Sequence, residues 1–235
     1  MSSKRIALFL LAAATTAAGL LTPNTALAQR SPKGQLQIGP DFGLIERPAQ
    51  ANDTGIAYGR GYVYGAHAQI LTAPWLRFSV YYLRARQPLT IPDGSLREGT
   101  SVEGDEHLSS YVLGARIQPT LNLGRRLHLW ANAGAGWGKV WAPAMELRDA
   151  SGTMRIGERD GVLVEVPLGL GGSFDIIERW LAISVDATYA LLLEQSGSVY
   201  GGAQIIDARG TMSQVGPFPK LGSAMTGTIS LLIEL

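Results

Sequence analysis

Five charged residues stand singly in segments where apolar residues alternate with small or polar ones. They are Asp41, Arg77, Arg116, Glu165 and Asp186. Each charge falls on the parity of its segment that carries Gly, Ser and other small or polar residues, so the five should share one face of the folded chain. Unpaired charges on an enclosed face are costly, and both signs are present. We therefore predict a network of paired charges on this face, with an ion pathway or a proton-linked gate as the alternative.

A second candidate for chemistry is the tripeptide His107-Leu108-Ser109, which places a His and a Ser on one face of a strand. Such a pair could act as base and nucleophile. The spacing resembles the H-x-S arrangement of the outer-membrane lipid A deacylases, but the flanking residues of that family are absent and no carboxylate can be assigned as the third member. We interpret the pair as a chance placement and predict no catalytic residue.

No metal site and no cofactor is predicted. His67 and His128 lack the spacing of metal ligands. The acidic cluster of Glu103, Asp105 and Glu106 could bind a divalent cation, although a solvated acidic loop is the commoner explanation. The formal net charge is only +1. Nucleic-acid binding normally needs a concentrated basic patch, so nucleic acid is not expected as a partner.

The segments that position these residues alternate at period two over roughly ten residues each, the length of a tilted membrane strand. A helix would instead repeat its apolar positions every three or four residues. We count eight such segments, joined by long connections at 45–54, 85–106, 142–161 and 194–223 and by three short turns. The pattern predicts an all-β fold, an eight-stranded antiparallel up-and-down barrel. Bulges are expected at Pro40 and Pro167, which fall inside strands.

Alternation alone leaves open whether the apolar parity faces lipid or lines the cavity of a secreted, lipocalin-type barrel. The opposite parity is rich in small residues, which suit the narrow interior of an eight-stranded barrel. Tryptophans gather near strand ends, as in the interfacial girdles of transmembrane barrels. Those by the short turns are Trp75 and Trp180, and those toward the long loops are Trp137 and Trp141. Both features favour lipid outside. Arg60 and Lys139, on the apolar parity near the loops, are expected to reach toward lipid phosphates.

The first 28 residues have the pattern of a cleaved export signal. Lys4 and Arg5 precede an apolar run that ends before Ala26-Leu27-Ala28, an A-x-A cleavage site. A membrane-anchored helix is the competing interpretation, but the run is short for a span of ~20 residues. We predict a signal peptide at 1–28 and one barrel domain at 29–235.

Over residues 35–235 this arrangement resembles the small eight-stranded outer-membrane proteins of the OmpA/OmpX and OmpW kind. The resemblance implies the outer membrane of a Gram-negative bacterium, both termini in the periplasm, contact with lipid and lipopolysaccharide, and recognition by the outer-membrane assembly machinery. The chain departs from the family at its last strand, where aliphatic residues ending at Leu235 replace the usual aromatics.

The expected function is that of a non-enzymatic outer-membrane barrel. Side chains would plug its interior, and its four loops would serve envelope integrity, adhesion or the binding of a ligand that no residue identifies. Two alternatives stay open, an OmpW-like conduit for small hydrophobic molecules and a lipid A-modifying enzyme.

Overall fold

The computed structural model describes residues 35–51, 53–96, 98–103, 107–149, 152–206 and 212–235. The predicted signal peptide lies outside these residues. The described strands follow one another as β1 (Leu36–Glu46), β2 (Ala57–Tyr58), β3 (Arg60–Ala73), β4 (Leu76–Thr90), β5 (Ser101–Glu103), β6 (His107–Leu123), β7 (Leu127–Ala142), β8 (Met145–Asp149), β9 (Gly152–Ile156), β10 (Arg159–Ile177), β11 (Leu181–Gly197), β12 (Ala203–Ile206), β13 (Met212–Val215) and β14 (Ala224–Glu234). None of the described residues forms a helix that could cross a membrane.

Eight long strands form the barrel. Their order is β4, β3, β1, β14, β11, β10, β7 and β6, every neighbouring pair is antiparallel, and β6 pairs again with β4. The first and last strands of the chain, β1 and β14, are neighbours. Each of the eight therefore has a partner on both sides and no strand edge is left open. The predicted eight-stranded antiparallel barrel is confirmed.

Side chains alternate between the two faces of this barrel as the sequence pattern predicts. The apolar parity points outward and is exposed, as at Phe42, Leu113, Leu170, Val185 and Ile229. The other parity points inward and is buried, as at Asp41, Gln69, Ser79, Asn132 and Ser184. A soluble ligand-binding barrel would show the reverse. An apolar outer wall of this extent requires lipid as its solvent.

The bulge expected at Pro40 is wrong, whereas near Pro167 the β10–β11 register shifts between Val164 and Glu165, two residues before the proline. Pro40 stays in register with Ala66 of β3, and Pro167 stays in register with Ala190 of β11. Proline has no N–H to donate. On the other side of each proline the pairing is interrupted instead, against β14 at Pro40 and against β7 at Pro167. One-sided interruption thus accommodates each proline without changing which face its neighbours occupy.

Three short turns lie at one end of the barrel, which we call the turn end. Two of them place a residue in the left-handed region, Gly124 with φ 82° and Arg179 with φ 64°. The long connections lie at the opposite end, the loop end. Leu235 donates its backbone N–H to the carbonyl of Leu36 at the turn end, so both ends of the described chain meet there.

The long connections form a second sheet at the loop end. Its order is β13, β12, β9, β8 and β5, and these strands come from three of the four connections. We call this sheet the cap. The remaining connection is tied down as well, because β2 pairs with the end of β4 and Ala49 bridges Leu221.

An apolar cluster joins the cap to the barrel. It contains residues of the cap and its loops together with inward-facing residues at the loop end of the barrel strands. Its members include Ile56, Tyr58, Tyr81, Val112, Val140, Leu147, Leu163, Ile205, Phe218 and Leu221. The alternation of the second segment, counted back from Tyr64 and Tyr62, predicts Ile56 and Tyr58 on the outer wall. That prediction is wrong, because the barrel strand begins at Arg60 and the segment before it turns inward to pack in this cluster.

Substitutions at Leu170 and Met212 can show whether lipid or water surrounds the barrel wall and the cap, because both side chains are 68% exposed. Leu170 lies on the outer wall in the middle of β10, whereas Met212 lies in the cap. Leu170→Arg should lower the free energy of unfolding by about 2–4 kcal/mol, the cost of Arg at a membrane midplane. Met212→Arg should change it by less than about 0.5 kcal/mol, as at an aqueous surface.

The measurement is denaturant unfolding of the barrel folded into phospholipid vesicles, followed by tryptophan fluorescence. Equal effects of the two substitutions would contradict a lipid-facing outer wall.

Candidate functional site

All five charged residues singled out in the sequence lie on the inner face of the barrel. Asp41, Arg77, Glu165 and Asp186 are buried and Arg116 is partly buried. In the described part of the chain, however, no direct ion pair joins any two of these five. Each one instead contacts a residue that the sequence did not identify as its partner.

Glu165 binds Arg47, a residue that sequence reasoning placed in a loop. The Arg47 Nη2 atom lies 2.5 Å from Glu165 Oε2, and the two side chains are only 3% and 7% exposed. Arg47 follows β1 directly and keeps the inward parity of Asp41 and Ile45. That continued period-two spacing was the signal that could have identified it. The ion pair anchors the first long connection inside the barrel.

Arg116 lies over an aromatic ring. Its guanidinium carbon is 4.0 Å from the centre of the Tyr81 ring, close enough for a cation–π interaction. The neighbouring strand makes room for this ring with glycine. A Cβ at Gly136 would lie 2.7 Å from the Tyr81 hydroxyl oxygen and 3.3 Å from Glu165 Cγ. Glycine on the inward parity therefore makes it possible for large side chains to cross the narrow interior.

Asp41 and Asp186 belong to two further groups in the same interior. Asp41 lies 2.8 Å from His67 Nδ1 and accepts a hydrogen bond from the Ser230 hydroxyl. Asp186 accepts a hydrogen bond from the Trp130 indole N–H at 2.9 Å.

Arg77 lies over the same indole ring, with its guanidinium carbon 5.2 Å from the ring centre. The Trp130–Asp186 pair also depends on a glycine, because a Cβ at Gly171 would lie 2.5 Å from Trp130 Nε1.

Polar side chains continue toward the turn end. The Gln69 amide donates to Gln37 Oε1 at 2.6 Å. His128 Nδ1 lies 2.7 Å from Asn122 Oδ1, and its Nε2 lies 3.4 Å from Asp175. Hydrogen-bonded groups thus occur in the interior from the turn end up to the Arg47–Glu165 pair.

On the loop side of the Arg47–Glu165 pair, the apolar cluster occupies the barrel interior. The Arg159 guanidinium lies 3.5 Å from the centre of the Phe218 ring, and the Tyr58 hydroxyl donates to the Pro219 carbonyl at 2.9 Å. Burial raises the pKa of Tyr58 to about 12, with the charge of Arg159 acting against that rise. The phenol therefore stays neutral and hydrogen-bonded at physiological pH.

The four tryptophans assigned to interfaces lie on the outer surface at the two ends. Trp75 and Trp180 are exposed beside short turns. Trp137 is exposed and Trp141 partly buried on the outward parity of β7, toward the loop end. Their position at a lipid interface remains a prediction.

The two cations expected near the loops also lie on the outer wall. Arg60 Nη2 is 3.0 Å from Glu46 Oε2, and Lys139 Nζ is 2.8 Å from Asp160 Oδ2. Each pair joins adjacent strands and is solvent-exposed.

His107 and Ser109 share the outward parity of β6, as the sequence predicts. His107 Nδ1, however, lies 3.1 Å from Arg86 Nη2, and Ser109 is buried. The acidic cluster considered as a possible cation site lies partly outside the described residues, because residues 105 and 106 are not among them. Elsewhere in the described chain, no group of three or more His, Asp or Glu side chains is arranged to hold a metal ion.

Comparison with solved structures shows the fold. The chain is similar to a major outer membrane protein from Thermus thermophilus, with a TM-score of 0.52 and 9% identity over 86% of this chain and 99% of that one. It is also similar to the outer membrane protein OprG from Pseudomonas aeruginosa, with a TM-score of 0.51 and 9% identity over 86% and 96% of the two chains. No protein-family model and no curated protein matches the sequence. The chain therefore has the fold of a small outer-membrane β-barrel protein.

The Arg47–Glu165 pair gives a testable stability difference. Arg47→Met should lower the free energy of unfolding by about 3–5 kcal/mol, because it leaves a buried carboxylate without its partner. Arg47→Met combined with Glu165→Met should lose much less, since no buried charge remains.

The control is the exposed pair Arg126–Glu178, whose N–O distance is 3.4 Å. Arg126→Met should cost no more than about 1 kcal/mol. All variants are compared by denaturant unfolding in vesicles. Equal losses for Arg47→Met and Arg126→Met would contradict the anchoring role of the buried pair.

Proposed function

We propose that this protein is a non-enzymatic outer-membrane scaffold, whose barrel is plugged by its own side chains and whose cap is the binding surface presented outside the cell. The observation that carries the proposal is the second sheet. Three of the long connections pair with one another through backbone hydrogen bonds and share an apolar core with the barrel. Loops organised in this way form a defined surface on a rigid support, which is where binding function commonly resides.

The filled interior supports the non-conducting part of the proposal. A small hydrophobic molecule passing along the barrel axis would meet the apolar cluster and then the Arg47–Glu165 pair. An eight-stranded barrel is only wide enough for its own side chains or one small ligand. The conduit alternative would require both the cluster and the ion pair to move aside.

The burial of Ser109 supports the non-enzymatic part. A nucleophile must be reachable by its substrate, and Ser109 is only 5% exposed. No described contact favours hydrolysis at Ser109 over a structural role for this buried hydroxyl.

A plugged barrel should be silent in planar lipid bilayers. We expect no discrete conductance steps from the purified, folded protein, because side chains of the described strands fill the interior. A conducting porin in the same bilayer is the positive control. Discrete steps whose size or ion selectivity changes with Glu165→Gln or Arg116→Gln would contradict the plug and favour the conduit.

The exposure of the cap outside the cell can be tested with single cysteines, because the chain contains none. Ser213 is exposed in β13, and Arg125 is exposed at a turn of the opposite end. In whole cells a membrane-impermeant maleimide should label Ser213→Cys but not Arg125→Cys. After lysis both should be labelled. Labelling of Arg125→Cys alone in whole cells would invert the proposed orientation.

A further inference from the structure

Arg159 is a buried cation whose charge is not balanced by a neighbouring carboxylate. It is the first residue of β10, and only 5% of it is exposed. In the part of the chain that the structure describes, its Nε, Nη1 and Nη2 atoms have no hydrogen-bond partner. Withdrawing a charged group from water is costly unless an opposite charge and hydrogen-bond acceptors replace the water. The burial of this guanidinium therefore calls for an anionic partner.

The carboxylates next to Arg159 in the sequence point away from it. Asp160 lies on the opposite parity of β10, and Glu158, directly before the strand, is exposed as well. Asp160 pairs on the outer wall with Lys139, at an N–O distance of 2.8 Å. The alternation of the strand thus separates the cation from the acidic residues that could have neutralised it.

Contact with an aromatic ring offsets only part of the cost. The Arg159 guanidinium carbon is 3.5 Å from the centre of the Phe218 ring. At this distance the planar cation must lie nearly flat on the ring, because an N–H aimed at the ring would bring its nitrogen too close. The ring therefore covers one face of the cation, whereas the N–H groups point outward in the plane of the guanidinium. Those edges still need an acceptor.

Backbone carbonyls around the Phe218 ring already accept other hydrogen bonds. The Pro219 carbonyl accepts from the Tyr58 hydroxyl at 2.9 Å, and the Gly201 carbonyl accepts from the Phe218 N–H at 3.0 Å. These bonds hold two of the long connections around Arg159. They tie the segment that contains Gly201 to the ring on which the guanidinium lies.

Tyr200 adds a second buried polar atom to this place. Its hydroxyl oxygen is buried and has no hydrogen-bond partner among the described residues. The ring packs over Gly161, where a Cβ would lie 2.9 Å from Tyr200 Cε2. Gly161 follows Arg159 by two positions on the same inward face of β10. Burial raises the pKa of Tyr200, so the hydroxyl keeps its proton and can donate it to an acceptor.

We propose that Arg159 and Tyr200 bind the carboxylate of a small monocarboxylic acid, such as formate or acetate, between the cap and the barrel. The edge of a guanidinium matches the two oxygens of a carboxylate, and the Tyr200 hydroxyl donates to one of them. One negative charge neutralises one cation, whereas a phosphate group carries more than one at neutral pH. The inference goes beyond the proposed function, because it places a small-molecule site inside the protein.

The test follows thermal unfolding of the full barrel in a neutral detergent by tryptophan fluorescence. Sodium formate and sodium acetate are the probes, and a bulky sulfonate buffer of the same ionic strength is the reference. A ligand that binds only the folded state raises the unfolding midpoint. The midpoint of the original protein should rise by about 4 °C or more in about 100 mM acetate.

Arg159→Met separates ligand binding from a structural role. In the sulfonate reference this variant should unfold at a higher temperature than the original protein, because an apolar side chain replaces a buried charge. In acetate its midpoint should stay where it is in the reference. Tyr200→Phe removes only the hydroxyl, so it should keep the response but require about tenfold more acetate.

The matched control is Arg155→Met, since Arg155 is an exposed cation of β9 in the cap. It should respond to acetate as the original protein does. Each variant is first checked for a folded barrel by its heat-dependent shift in gel mobility.

Four results would overturn the inference. One is a lower midpoint for Arg159→Met than for the original protein in the sulfonate reference, which would show that the arginine stabilises the protein without any ligand. The others are no rise of the original midpoint in formate or acetate, an equal rise in Arg159→Met, and an equal rise in sodium chloride, which would indicate a site without carboxylate geometry. The assay does not depend on the orientation or conductance of the barrel, so its failure would leave those experiments unaffected.

Discussion

The structure depends on one constraint, which is that every backbone N–H and C=O group within a lipid layer must find its partner in the protein. Pairing of β4 with β6, together with pairing of β1 with β14, leaves none of the eight barrel strands with an open edge. The period of two along each strand then divides the side chains into an outer set and an inner set. Even the strand prolines respect this division, because Pro40 and Pro167 stay paired on one side, with Ala66 and Ala190, and interrupt the pairing on the other.

Closure with only eight strands makes the interior narrow, and this limits what can occupy it. Two large side chains can lie at the same height along the barrel axis only where a neighbouring strand carries a glycine. Gly136 makes room for Tyr81 beside Glu165, and Gly171 makes room for the Trp130–Asp186 hydrogen bond. The charged side chains of the interior consequently contact aromatic rings and hydrogen-bonding groups as well as other charged side chains. Such packing is suited to a rigid support and leaves little space for passage.

The loop end presents a different problem, since ordering its long connections costs conformational entropy that new contacts must offset. Three of them pair into the cap, and apolar side chains beneath it pack against inward residues of the barrel mouth. Arg47 adds an ionic anchor to this packing. The barrel thereby supports two chemically distinct surfaces, an apolar wall and a cap with water-facing strands.

The alternation of residue types by itself determined the strand class, the number of barrel strands, and the face on which Asp41, Arg116 or Trp137 lies. These are local properties, because neighbouring side chains of a strand point to opposite sides whatever the strand pairs with. Only the tertiary structure decided that Glu165 binds Arg47, that Tyr58 leaves the outer wall for the apolar cluster, and that the loops form a sheet. It also decided that Arg159 lies against the Phe218 ring. Each of these depends on which distant segments become neighbours and in what register. A strand's alternation fixes the face of each residue but does not say which residue of another strand lies opposite it.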